Sequence, residues 1–140
     1  GEGGGWLFVS HTPVHASPVV EAVAAGLPHC GRGVTYLRTE PFILHVDCRT
    51  SAAAQALVSL AITCGFRESG LSPGKRHMAA IRTTSHRLEA PIALNGQLMC
   101  SHRHLHFLCM CAWECMHANA AHIEKLEHAL VNSLLADVTC

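Results

Sequence analysis

The stretch Phe42-Ile43-Leu44-His45-Val46-Asp47-Cys48, followed after Arg49 by Thr50-Ser51 and the run from Ala52 to Gly65, decides the fold. Phe42, Leu44, Val46 and Cys48 alternate with Ile43, His45 and Asp47, which is the period of a strand. Both faces of that strand are apolar enough to read as largely covered. Beyond Arg49 the period changes. Ala54, Leu57, Val58, Ala61 and Ile62 recur at helical spacing, Thr50 or Ser51 is placed to cap the helix, and Gly65 is placed to end it. A strand passing directly into a helix predicts a mixed α/β domain.

Working outward, the segment 78–84 (Met78 to Thr84) reads as a strand after the Ser72-Pro73-Gly74 turn, and Arg87 to Leu94 as its partner before the Asn95-Gly96 turn. Upstream, Val34 to Thr39 is extended, and Ser17-Pro18 opens a short helix running from Val19 to Ala25 and stopped by Gly26. Trp6 to His11 alternates like a strand. After Ser101 a long helix extends to about Asp137, carrying Leu105, Leu108, Ala112, Met116, Ile123, Leu126, Leu130 and Leu134 on one stripe.

The chain has 140 residues, 49% of them hydrophobic and 14% charged. That is the composition of one globular domain and excludes disorder from excess charge. The longest apolar charge-free stretch, Thr50 to Phe66, is broken by polar residues and reads as a helix in water, not a membrane span. Eight cysteines without a secretory leader fit reduced thiols and a cytoplasmic protein. Ten basic and ten acidic residues cancel, which argues against coating nucleic acid by bulk charge. The charge is uneven, however: Arg67, Lys75, Arg76, Arg82 and Arg87 face Glu68 alone between positions 67 and 87, a local charge of +4.

His102, His104, His106, Cys109, Cys111 and Cys115 invite a zinc reading. The spacing argues against it, because Cys109 and Cys111 lie about 200° apart around a helix and no paired Cys-x-x-Cys knuckles flank a loop. The expectation is therefore no metal. His45 and Cys48 cannot form a nucleophilic pair, since three steps along a strand put them on opposite faces. Neither a Gly-x-Ser-x-Gly elbow nor a dinucleotide-binding glycine fingerprint is present.

Six motifs stand in order: Gly5-Trp6-Leu7-Phe8-Val9-Ser10-His11, Glu40-Pro41-Phe42-Ile43-Leu44-His45-Val46-Asp47-Cys48-Arg49, Gly65-Phe66-Arg67-Glu68-Ser69-Gly70, Gly74-Lys75-Arg76, Ala80-Ile81-Arg82-Thr83-Thr84 and Leu88-Glu89-Ala90-Pro91. This series resembles the tRNA wybutosine-synthesising protein 3 family over nearly the whole chain. The resemblance implies a single compact α/β (α+β) domain outside the Rossmann methyltransferases. It also implies methyl transfer from S-adenosylmethionine to a ring nitrogen of the wybutosine precursor beside the anticodon of phenylalanine tRNA.

For the sites, the resemblance implies His45 and His11 as catalytic base or orienting groups, and Glu40, Trp6 and Ser10 at the cofactor. Arg67, Lys75, Arg76 and Arg82 are implied at tRNA phosphates or at the substrate carboxylate. The expectation that follows is one cleft shared by His11, His45 and the Lys75-Arg76 turn. Phenylalanine tRNA is the implied partner, with other wybutosine-pathway enzymes alongside it and no membrane. Members of the family carry a Ser/Cys-rich segment ending in Gly-Arg-Ile ahead of the Trp-containing strand, and residues 1–140 are expected to be the domain without it. A non-catalytic RNA-binding or assembly module built on the same frame is the alternative from another class, and a zinc-stabilised structural protein is a third.

Overall fold

A computed structural model describes residues 5–74 and 76–138, with the side chains of the last helix described through position 133. In chain order the elements are α1 (Ala16–Gly26), a 3-10 turn at Leu27–His29, β1 (Val34–Thr39), β2 (Ile43–Cys48), α2 (Ser51–Thr63), β3 (Gly70–Leu71), β4 (His77–Arg82), β5 (Leu88–Leu94), β6 (Gln97–Leu98) and α3 (His102–Val138). This is the mixed α/β class with a long C-terminal helix. The strands form two antiparallel three-stranded sheets, β1-β5-β6 and β2-β4-β3. The residues group into two compact units, one comprising positions up to Glu40 with His86–His117, the other Pro41–Ser85 with positions from Ala118 onward.

In the first unit, α1 and the start of α3 bury Val19, Val23, Leu27, Leu105 and Cys109 with Ile92 and Ala93 of β5. The central strand β5 contains Pro91, which has no N–H to donate. The β1 register slips between Thr35 and Tyr36, so that Tyr36 falls opposite Pro91, and an irregular ladder is where a strand tolerates proline. Asn95 (φ 51°) and Gly96 (φ 76°) make the tight turn to β6, the left-handed pair that Asn-Gly favours. Gly33 and Asn95 tie the sheet end to the turn, with Gly33 N–H donating to Asn95 Oδ1 at 2.9 Å and Asn95 N–H to the Gly33 carbonyl at 2.8 Å.

In the second unit, Thr50 Oγ1 accepts from the Ala53 N–H at 3.1 Å and caps α2. Cys64 and then Gly65, at φ 107°, end the helix as its sequence predicts. Ala54 and Ala61 pack with Phe66, Ala79, Ile81 and Leu126. Ile62 departs from the expected stripe and is 44% exposed, because one residue beyond Ala61 turns about 100° away from the packed side.

Four further expectations need correction. Trp6 to His11 is not a strand. Leu7 packs into the first core instead of pairing across a sheet, and Ser10 Oγ bends the chain by accepting from the Thr12 N–H at 3.1 Å and donating to its carbonyl at 2.7 Å. Helix α1 begins at Ala16 with His15 at the N-cap and no capping side chain, so Ser17 lies inside it. Strands β4 and β5 are not partners: both edges of β4 are taken, by β2 and by β3, and β5 pairs with β1 and β6. Strand β2 is not covered on both faces, because it is an edge strand and α2 packs against only one side of its sheet. Ile43 is 59% exposed, and His45 and Asp47 are exposed beside it.

Candidate functional site

The side chains singled out in the sequence fall into two groups, one in each unit. In the first unit, Trp6 is 82% exposed, Ser10 is half-buried in its turn with Thr12, and His11 is exposed. These three share the irregular segment that leads into α1. Glu40 follows β1 and is exposed, its Oε2 lying 3.8 Å from Arg87 Nε. Arg87 also meets Glu89, at 3.0 Å. The most C-terminal cation of the basic stretch is therefore held between two carboxylates, and it lies in a different unit from Arg67, Arg76 and Arg82.

In the second unit, His45 and Arg82 lie on the open face of the β2-β4-β3 sheet. His45 stands directly across from Ala80, and Ile43 across from Arg82. His45 and Arg82 are thus diagonal neighbours on one face, a spacing of about 7–8 Å in antiparallel sheets. The small Ala80 between β2 and β3 leaves the imidazole accessible. Arg82 is pinned by its Nε–H, which donates to the Glu68 carbonyl at 2.9 Å, and by its backbone N–H, which donates to Ser69 Oγ at 3.1 Å. The Glu68 carboxylate in turn accepts from the Thr84 N–H at 3.2 Å and the Thr84 hydroxyl at 3.3 Å. Desolvation works against the charged form of Glu68, yet the Thr84 N–H with the Thr83 and Thr84 hydroxyls outweighs it and holds the carboxyl below its ordinary range.

Arg76 is exposed and lies 3.9 Å from Asp47 Oδ2, a loose surface pair worth little by itself. It lines a cavity of about 190 Å³ with Ser51 at the start of α2 and with Ser72, Gly74 and His77. Arg67 is exposed. Lys75 lies outside the described residues. In the sequence Glu68 registers only as a charge, and Ser69, Thr83 and Thr84 do not stand out. Their tie to Arg82 bridges a turn and a strand end, and its only trace in the sequence is that all four stand within the six ordered motifs.

His11 belongs to the first unit and His45 to the second. On α3, Cys109 is buried in the first core while His102, His104 and His106 are exposed. Among the described residues no group of three or more His, Cys, Asp or Glu side chains is placed to hold a metal ion. Burial pushes the Cys109 thiol up, with the neighbouring Cys100 adding to the shift, so it packs as a neutral thiol.

Residues 1–132 match the family model described as methyltransferase TYW3. The chain belongs to the TYW3 methyltransferase family. A Bos taurus protein named tRNA wybutosine-synthesizing protein 3 homolog is 38% identical over 131 residues, covering 92% of this chain and 48% of the bovine one. An Oryza sativa protein named tRNA wybutosine-synthesizing protein 2/3/4 is 41% identical over 121 residues, which are 84% of this chain and 11% of the rice protein. The solved structure of the PH1069 protein from Pyrococcus horikoshii superposes with a TM-score of 0.82 at 27% identity, over 96% of this chain and 66% of that one. The chain thus spans about half the length of the bovine TYW3 relative.

Proposed function

We propose that this TYW3-family chain is a tRNA methyltransferase that transfers a methyl group from S-adenosylmethionine to a ring nitrogen of the wybutosine precursor in phenylalanine tRNA. The family match over residues 1–132 carries the reading. The names of the bovine and rice relatives place them in wybutosine synthesis. Among the described residues no helix is long and apolar enough to cross a membrane. The seven described cysteines are free thiols, consistent with work in the cytoplasm.

The first unit's residues fit a nucleoside cofactor in part. Trp6 offers an open indole for stacking on adenine, and the Glu40 carboxylate, 59% exposed and only loosely paired with Arg87, retains lone pairs for ribose hydroxyls. Ser10 Oγ is already engaged by Thr12 and fits less well. When bound, S-adenosylmethionine supplies a sulfonium methyl that passes to the ring nitrogen as the methyl–sulfur bond breaks. The protein's main task is alignment, since holding two reactants in line supplies most of the acceleration in such a displacement.

The imidazole of His45 or His11 takes the proton that leaves the attacking nitrogen, acting as general base. Arg82, held by Glu68 and Ser69, presents a preset guanidinium to a phosphate or to the substrate carboxylate. Arg67, Lys75 and Arg76 hold further phosphates. Calorimetric titration with S-adenosylmethionine and with phenylalanine tRNA lacking the final modifications tests the reading. Binding of both supports the methyltransferase; tRNA binding without cofactor binding favours the non-catalytic module.

A further inference from the structure

A second cavity, of about 270 Å³, lies within the first unit and is lined by His15, Ala16, Cys109, Met110, Trp113 and Glu114. Its two aromatic lining rings, His15 and Trp113, are nearly parallel, and His117 stacks on the indole from outside the lining. The His117 ring stacks on the Trp113 indole with centroids 4.4 Å apart and planes within 18°. The His15 ring lies 6.2 Å from the same indole, with planes within 15°. His15 occupies the N-cap of α1, a position where a short polar side chain would bond to the helix N–H groups, but it makes no capping bond. Its imidazole is committed to the cavity instead.

The remaining lining suits a flat apolar ring with one polar edge. Cys109 is buried and forms a neutral floor, and Met110 supplies a polarizable thioether that packs well against aromatic rings. Glu114 is the only carboxylate in the lining, an acceptor without a donor of its own.

We propose that this cavity is a purine slot, in which the base lies against the Trp113 indole beside His15 while the Glu114 carboxylate accepts from N–H groups on the base edge. Guanine offers its ring N–H and exocyclic amine to such an acceptor, and adenine its exocyclic amine. Two fused rings match the indole better than a pyrimidine does. The inference rests on these side chains alone and stands whether or not the chain transfers methyl groups.

Fluorescence titration tests it in a Trp6→Phe background, which leaves Trp113 as the sole indole of the two in the chain. Guanosine and adenosine monophosphates are expected to quench the indole saturably and to bind at least about tenfold more tightly than uridine monophosphate. His15→Ala and Glu114→Gln each alter an exposed residue, and each is expected to weaken purine binding by about tenfold, the first by loss of a neighbouring ring and the second by loss of the charged acceptor. Far-UV circular dichroism checks that both variants fold. Calorimetric titrations with S-adenosylhomocysteine and with tRNA, on chains that keep Trp6, separate the sources of the base. Weakening of S-adenosylhomocysteine binding by the two variants assigns the slot to a cofactor adenine, and weakening confined to guanosine monophosphate and tRNA assigns it to an RNA base. Absence of saturable quenching, equal affinity for uridine monophosphate, or purine binding that survives the His15→Ala/Glu114→Gln double variant overturns the proposal.

Discussion

Gly65 makes room for His122: a Cβ at position 65 would lie 2.9 Å from the imidazole Nε2. The same glycine adopts φ 107°, a conformation that disfavours any side chain. The imidazole also packs on Phe66, with ring centroids 6.0 Å apart, and Phe66 meets Phe42 edge-on at 5.7 Å. The Gly65-Phe66 motif therefore serves packing in the second unit, joining the end of α2 to the strand that carries His45.

Gly65→Ala is accordingly expected to destabilise the protein by about 1–3 kcal/mol through backbone strain and the displaced imidazole. Urea unfolding measures it. An unchanged midpoint would mean that the helix end relaxes without cost.

The Glu68 tie predicts a pH dependence of stability. Its folded pKa is lowered, so its contribution is present above the ordinary glutamate value and is lost as pH falls through the folded value. Glu68→Gln should lower stability at neutral pH and flatten that acid-range loss. Denaturation midpoints across the acid range, wild type against variant, provide the check; parallel curves would count against the tie.

The open sheet face predicts a kinetic signature. If the His45 imidazole takes the proton, His45→Ala should lower kcat by roughly 10²–10⁴-fold and leave tRNA affinity unchanged, because the proton transfer belongs to the chemical step and not to binding. A fall of that size in His11→Ala instead, with His45→Ala near wild type, would move the role to the first unit.

For the cations, replacing Lys75 and Arg76 together by Ala should reduce the slope of log K against log salt for tRNA by about 0.7–0.9 for each phosphate that the pair neutralises. Cofactor affinity should change little, since S-adenosylmethionine carries no phosphate. Unchanged slopes would mean that the pair is solvated surface.

Much of this was legible because local signals agreed with the fold. Thr50 and Gly65 bound α2 in the sequence as in the structure, β1 spans Val34–Thr39 as its pattern indicates, and the Asn95-Gly96 pair marks its own turn. The failures were questions of pairing, which local periodicity does not encode. Trp6 to His11 alternates like a strand, but no strand edge receives it and Leu7 is held by the helical core. Strands β4 and β5 are close in sequence and belong to different sheets. His45 looked enclosed by apolar neighbours, and its exposure follows from the edge position of β2. In the basic stretch, charge counting saw Arg87 but not the two carboxylates that flank it.

The measurement that tests the central claim most directly is methyl transfer itself. The protein is incubated with S-adenosylmethionine bearing a labelled methyl group and with phenylalanine tRNA carrying the wybutosine precursor, and the nucleosides are then separated and weighed. The expected result is labelled methyl on a ring nitrogen of the precursor nucleoside, one equivalent of S-adenosylhomocysteine for each methyl transferred, and no label on tRNA lacking the precursor. Label absent from the precursor while the protein binds both tRNA and cofactor, or label appearing on an unmodified nucleoside instead, would contradict it.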